Sequence, residues 1–386
     1  MDTITTVTEY LDLIKGIQIK HNVFFRGHSD DSYDLNPGIY RKVKNDKTLI
    51  EYEDQIFREV ISHSPQEFVG KNTLETLALL QHYDAPTRVL DLTENALAAL
   101  YFAVSSRNSM DKHGEVIVFD IPDESVCHYN SDRVAILANI AKCDKHFNYH
   151  PELVPIYRSK ISELEKRKVS TSSIGFIFKS EIFDFFNANS KKVEKMFAHD
   201  DRFELDNYDK NLQVLIVQYE SECEKLTAKD LVDFENQYIS FLIDILEIVV
   251  NRSIANCNDK FFGKLLHNVR EDKSYFDAII DPEDISKVFA VRPKLDNPRI
   301  VRQQGAFLIF GVKEELIPGW NGYKPMAELK TDWVSRGLTK EKIIIDKDSK
   351  NKIQTELEQL GITQSTLFPE IDKVADFVRR KYSEKL

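Results

Sequence analysis

Apolar residues recur at Val7, Leu11, Ile14 and Ile17, a helical spacing, and the pattern then shortens to a strand over Val23 to Arg26. Leu49 to Ser62 and Thr73 to Tyr83 read as amphipathic helices, closed by Ser64-Pro65 and by Pro86. Arg88 to Leu92 is short and apolar enough for a buried strand, and Thr93 is placed to cap a helix beginning near Glu94. Leu97, Leu100, Tyr101 and Val104 share one face of that helix, which predicts packing on a sheet. Glu115 to Asp120 predicts a further strand, halted by Pro122.

From Asp123 to about Asp281 the chain turns rich in Lys, Glu, Asn and Phe, with helical runs at Ile156 to Lys168, Ser180 to Asn187, Thr227 to Val250 and Asn258 to Asn268. Strand signals return at Val288 to Val291 and across Ile300 to Val312, where Gly305 suits a bulge or a close approach. The tail predicts a strand at Ile343 to Ile345 and helices at Ile353 to Leu360 and near Ile371 to Lys381. The organisation expected is an α+β domain made of residues 1–122 and 282–386, interrupted by a mostly helical insertion at 123–281.

At 386 residues, 42% hydrophobic and 30% charged, the chain has the composition of a globular protein with a full core. A net charge of -11 leaves no broad basic field for nonspecific nucleic-acid binding, although a local basic cleft is compatible with it. The opening residues MDTITTVTEYLDLIKG lack a basic and apolar leader, and the four cysteines are widely spaced, so a reduced cytoplasmic protein is expected. Tyr238 to Val250 is the most apolar long stretch, but Asp244 and Glu247 within it favour a buried helix, and no membrane span is expected. Cys127, His128, Cys143 and His146 are metal-ligand types, yet no two cysteines stand two to four residues apart, which argues against a zinc site.

Three polar clusters lie on or beside predicted strands: Arg26 with Gly27 and His28; His82 through Arg88, Asp91, Thr93 and Glu94; and Arg302, Gln303 and Gln304. Taken singly they have plain accounts, such as an Arg88–Asp91 ion pair, helix caps, or Gln303 satisfying buried backbone. Taken together they suit one cleft, in which the planar guanidinium of Arg26 grips a phosphate or carboxylate.

The clusters also resemble a known family. Val23-Phe24-Phe25-Arg26-Gly27-His28-Ser29-Asp30, followed by Leu35-Asn36-Pro37 and Arg41, is similar to the opening motif of the FRG domain. Gln81-His82-Tyr83, Ala85-Pro86-Thr87-Arg88, Leu90-Asp91, Thr93 and Ala99-Leu100-Tyr101-Phe102-Ala103 follow the family pattern, with Leu92 where an aromatic residue is often found. Arg299 through Gln303 with Gly305, Ala306 and Phe307, and Gly361-Ile362 with Thr366-Leu367-Phe368-Pro369, resemble its later motifs. The resemblance implies a bacterial or phage-related protein, in toxin or phage-defence settings.

The motif order is similar, in turn, to that of ADP-ribosyltransferases of the Arg, Ser/Thr, Glu/Gln kind, which implies an ADP-ribosyltransferase-like mixed or antiparallel sheet and NAD as substrate. On that analogy Arg26, Thr93 and Gln303 are catalytic, and Gly27, His28, His82, Tyr83, Arg88, Asp91 and Tyr101 surround the bound NAD. A glutamine cannot act as a carboxylate base, so either Glu94 or Asp91 is expected to deprotonate the acceptor, or the acceptor, such as a nucleobase nitrogen, needs little help. RNA, DNA or protein is the expected acceptor, with an antitoxin or chaperone as a further partner. The alternatives are a nucleotide or phage-component sensor without catalysis, and a metal-dependent nuclease built on His82, Asp84, Asp91 and Glu94. Lys166-Arg167-Lys168 and Lys191-Lys192 with Lys195, beside Phe183, Phe185 and Phe186, are the expected phosphate contacts should the acceptor be a nucleic acid.

Overall fold

The computed structural model describes residues 2–151, 153–169, 184–185, 188–193, 228–277, 279–314, 323–337 and 340–383. The chain forms two compact units, Met1–Asn148 with Lys264–Phe276 and Asp284–Leu386, and Tyr149–Gly263 with Asp277–Glu283. The first is α+β, and its sheet mixes parallel and antiparallel pairs with helices at its flanks.

The strands are β1 (Asp2–Ile4), β2 (Asn22–His28), β3 (Val89–Thr93), β4 (Gly114–Ile121), β5 (Val126–His128), β6 (Val288–Arg292), β7 (Gly305–Phe310), β8 (Val334–Arg336) and β9 (Ile343–Ile345). They run in the order β1-β9-β4-β2-β3-β7-β6-β5, with β8 also paired to β4. Pairs β1/β9 and β5/β6 are parallel and the others antiparallel. The described helices are α1 (Val7–Gly16), α2 (Glu53–His63), α3 (Thr73–His82), α4 (Ala96–Val104), α5 (Asp132–Asn139), α6 (Val154–Val169), α7 (Ala228–Cys257), α8 (Gly263–Asp272), α9 (Pro282–Ile285), α10 (Pro298–Gln303), α11 (Lys350–Gln359), α12 (Gln364–Leu367) and α13 (Ile371–Ser383).

Two apolar layers sandwich the sheet, and the period-two alternation of each strand assigns its residues to them. Phe25, Val116 and Val118 join α1, α4 and α11 on one face. Phe24, Ile117 and Phe119 join Leu90, Leu92, Leu308 and Trp333 on the other. Helix α4 can lie flat on β2 because Gly27 and Gly114 carry no side chain opposite Ala99 and Ala103.

In the second unit α6 and α7 pack through Leu153, Val154, Tyr157 and Leu164 against Ile239, Leu242, Leu246, Val249 and Ile254, which recur at helical spacing. Asp244 and Glu247 are exposed on α7, and no helix among the described residues is long and apolar enough to cross a membrane. Phe185 packs inward on the Tyr157 ring, with centroids 5.1 Å apart. Phe183, Phe186, Lys195, Cys223 and most of the expected helix Ser180 to Asn187 lie outside the described residues.

The structure differs from the sequence reading in three places. Ile300 to Val312 is not one strand: Asn297 caps the backbone N–H of Arg299, Pro298 opens α10, and Gln304 turns the chain at φ 46° before β7 begins. Thr93 does not cap α4; Asn95 does, its side chain accepting from the N–H groups of Leu97 and Ala98. Residues 123–148 and 264–276 fall in the first compact unit, where β5 pairs β6 and Thr73 at the start of α3 bonds Asn139 at the end of α5.

Candidate functional site

Strands β2, β3 and β7 run side by side at the middle of the sheet, and the ends of α3 and α10 close over them. Between these elements lies a cleft of about 280 Å³. Arg26, Gln81, His82, Asp91, Arg299 and Gln303 supply its polar lining, and Phe102, Phe307 and Phe368 supply apolar surface.

Arg26 is half-buried on β2, and its guanidinium is held in place from two sides. Its Nε donates to His28 Nε2 at 2.9 Å and its Nη1 to the Asp91 carbonyl at 2.5 Å. Burial draws the Arg26 pKa down to about 10, with Asp91 opposing that shift, so the side chain remains a cation at neutral pH. Since His28 Nε2 accepts a hydrogen bond, its proton sits on Nδ1, a buried atom with no partner. Burial, helped by Arg26 and Arg41, pushes the His28 pKa down to about 3 and keeps the ring neutral.

Asp91 is the exposed position of an otherwise buried strand, and it is the one carboxylate among the cleft's described lining residues. Its Oδ2 accepts from Gln81 Nε2 at 3.2 Å, and Gln81 in turn accepts from the Thr87 hydroxyl at 2.7 Å. His82 sits at the end of α3 with Nδ1 3.2 Å from Arg299 and Nε2 3.3 Å from Glu370. Burial first and Arg299 second lower its pKa, against the pull of Glu370.

Thr93 and Gln303 are joined to each other. The buried Thr93 hydroxyl donates to the Gln303 carbonyl at 2.6 Å and accepts from the Asn95 N–H at 2.9 Å. The Gln303 amide nitrogen donates to the Leu367 carbonyl at 3.1 Å.

Residues 21–112 match the family model of the FRG domain. The chain contains an FRG domain. No curated protein and no solved structure matches it. The FRG match spans β2 to the loop between α4 and β4, and the cleft is completed from outside it by α10, β7 and Phe368.

Of the residues expected at the site, Arg26, Gly27, His82, Asp91, Thr93 and Gln303 line the FRG cleft. His28 stands behind Arg26. Gly27 serves the packing of α4, since a Cβ there would fall 1.9 Å from the Ala99 carbonyl oxygen. Arg88 is fully buried and bonds Glu53 through Nε at 2.7 Å and Nη2 at 2.5 Å, so it anchors β3 to α2. Glu94 is exposed and pairs with Arg292 at 2.8 Å. Tyr83 is exposed on the end of α3, and Tyr101 is buried against Phe102 and Phe368. None of these last four lines the cleft.

Arg299, Gln81, Phe102 and Phe368 also line the cleft; each stands in a motif quoted from the sequence, but the sequence alone gives none of them a role in the site. The Arg299 guanidinium stacks 4.7 Å over Phe368, which would need knowledge that α10 and the segment after α12 meet. Of the residues named for a metal-dependent nuclease, only His82 and Asp91 line the cleft, and no group of three His, Cys, Asp or Glu is placed to share a metal among the described residues. Cys127, Cys143 and Cys257 are buried thiols.

Proposed function

We propose that the FRG cleft binds NAD and that the protein is an ADP-ribosyltransferase. The observation that supports this reading is the meeting, in one cleft, of the cations Arg26 and Arg299, the single carboxylate of Asp91 and the apolar surfaces of Phe102, Phe307 and Phe368. Cations next to the pyrophosphate, an apolar slot for nicotinamide and a carboxylate beside the ribose are what cleavage of the nicotinamide–ribose bond requires. That bond breaks with its electrons leaving on nicotinamide, and an acceptor oxygen or nitrogen attacks the ribose carbon as the charge builds there. Asp91 takes the acceptor's proton. With its side-chain nitrogen donating to the Leu367 carbonyl, Gln303 presents its side-chain oxygen Oε1 to a ribose hydroxyl, and Thr93, bonded to the Gln303 backbone carbonyl, positions Gln303 rather than touching substrate.

In the bacterial defence setting implied by the FRG resemblance the acceptor is RNA, DNA or protein in the cytoplasm, and a toxin-like activity would be restrained by an antitoxin or chaperone. The test is incubation of the full chain with nicotinamide-labelled NAD and cell extract. Nicotinamide is released, and Asp91→Asn slows release about 10²- to 10⁴-fold, the usual contribution of a positioned base, while NAD still binds. An intact nicotinamide balance overturns the transferase. Binding without release would establish the second reading, a nucleotide sensor, which draws on the engagement of Arg26 and Thr93 in internal hydrogen bonds.

A further inference from the structure

A second, larger pocket of about 430 Å³ lies against the first, and Phe368 lines both. It opens between the end of α4, the loop after it, and helices α11, α12 and α13. Three cations line it: Arg107 from the loop and Lys373 and Arg380 from α13.

Carboxylates offset Arg380 and Lys373 and leave Arg107 uncompensated. Asp376, the acid in the lining, already receives Arg379 at 2.5 Å and stands 3.4 Å from Arg380. Asp372 pairs with Lys373 at 3.3 Å on the exposed side of α13, and Arg107 is in no ion pair among the described residues. Lys373 lies in the first turn of the 13-residue α13, where the helix itself adds positive potential.

A second, independent feature points to a ligand. The side-chain oxygen of Gln364, another lining residue, is buried without a hydrogen-bond partner, an unsatisfied acceptor of the kind that costs stability unless something donates to it. Tyr101 and Phe368 add aromatic surface beside it.

We propose that this pocket is a mononucleotide subsite: the cations hold a phosphate, and Gln364 accepts from the exocyclic amine of a base stacked near Tyr101 and Phe368. The ligand class is an adenylate. Its source, given the NAD reading above, is the adenosine-phosphate half of the dinucleotide, with the nicotinamide half across Phe368 in the first cleft. The first cleft, at about 280 Å³, falls below the roughly 300 to 1,000 Å³ usual for ligand sites, and the second adds the volume a dinucleotide needs.

The test titrates the full chain with AMP, nicotinamide mononucleotide and NAD by calorimetry, comparing wild type with an Arg107→Gln/Lys373→Gln double variant. Both substituted positions are exposed, and circular dichroism checks that the fold is kept. The double variant is expected to bind AMP and NAD about 10- to 100-fold more weakly, the loss of charge-assisted hydrogen bonds, and nicotinamide mononucleotide as before. Gln364→Leu should weaken AMP but not inorganic phosphate. AMP binding that is absent in wild type, or unchanged in the double variant, overturns the subsite. If AMP binds here and is lost in the variant while NAD is not bound at all, the subsite stands and the transferase reading falls.

Discussion

Gly27 of β2 and Ala99 of α4 approach so closely that a Cβ on the glycine would stand 1.9 Å from the alanine's carbonyl oxygen. The contact is backbone against backbone, so no side-chain rotation can relieve it. Gly27→Ala must therefore lift α4 from the sheet or shift β2, and with β2 goes Arg26. An overpacked core costs about 1–3 kcal/mol when it can relax, and here the value should lie at or above the upper end. Urea unfolding of the variant measures it; a loss below about 0.5 kcal/mol, the range of ordinary surface changes, would show that the seam is loose.

Arg88, Glu53 and Lys324 form a fully buried network: Lys324 Nζ donates to Glu53 Oε2 at 2.8 Å and to the Cys143 carbonyl at 2.6 Å. Burial alone would raise the Glu53 pKa, but Arg88 and Lys324 outweigh it and hold it below the ordinary carboxylate value. For an acid with a depressed folded pKa, stability is present above the unfolded pKa near 4.5 and is lost as pH falls below it. Glu53→Gln leaves two buried cations facing a neutral amide, and should cost about 3–5 kcal/mol near neutral pH. The same substitution should flatten the acid side of the stability curve below pH 4.5, read by denaturant titration across pH.

The elements that were legible in the sequence are those with clean periods and sharp punctuation. Val89 to Thr93 and Gly114 to Ile121 fall between helix-closing and strand-breaking prolines, and the α6 and α7 seam repeats every three or four residues. Ile300 to Val312 misled because Ile300 and Val301 favour strands, while the reversal at Gln304 uses a left-handed residue that is not glycine. Asn297-Pro298 was the helix signal there. The partner of Arg88 was hidden for another reason: Glu53 is on a helix 35 residues away, and an ion pair leaves no periodic trace. The strand Asp2–Ile4 is three residues long, and only its parallel pairing with Ile343–Ile345 identifies it.

His28 tests the electrostatics behind Arg26. Its folded pKa of about 3 lies below the ordinary 6.5, so the unfolded chain binds its proton more readily. Stability from this group is complete above pH 6.5 and declines as pH falls from there toward about 3. NMR of the ring should show a neutral imidazole protonated on Nδ1 with no titration between pH 5 and 8, the interval in which an ordinary histidine changes charge. His28→Leu should remove this part of the acid sensitivity and, by freeing Arg26 Nε, loosen ligand binding. A histidine titrating near pH 6.5 would refute the burial argument.

Arg299 is the cleft cation whose role depends on shape as well as charge. Its plane lies 4.7 Å over the Phe368 ring while Nη1 reaches His82 Nδ1 at 3.2 Å, so one side chain ties α10 to α3 and to the segment after α12. Lysine keeps the charge but can neither stack as a plane nor reach two directions at once. Arg299→Lys should therefore weaken nucleotide binding about tenfold, in line with the 1–2 kcal/mol of a desolvated cation–π contact and a lost hydrogen bond, and leave thermal stability nearly unchanged. If only the charge mattered, lysine would bind like wild type and Arg299→Gln would not; if the stack matters, both fail alike, and Phe368→Leu should weaken binding to the same degree.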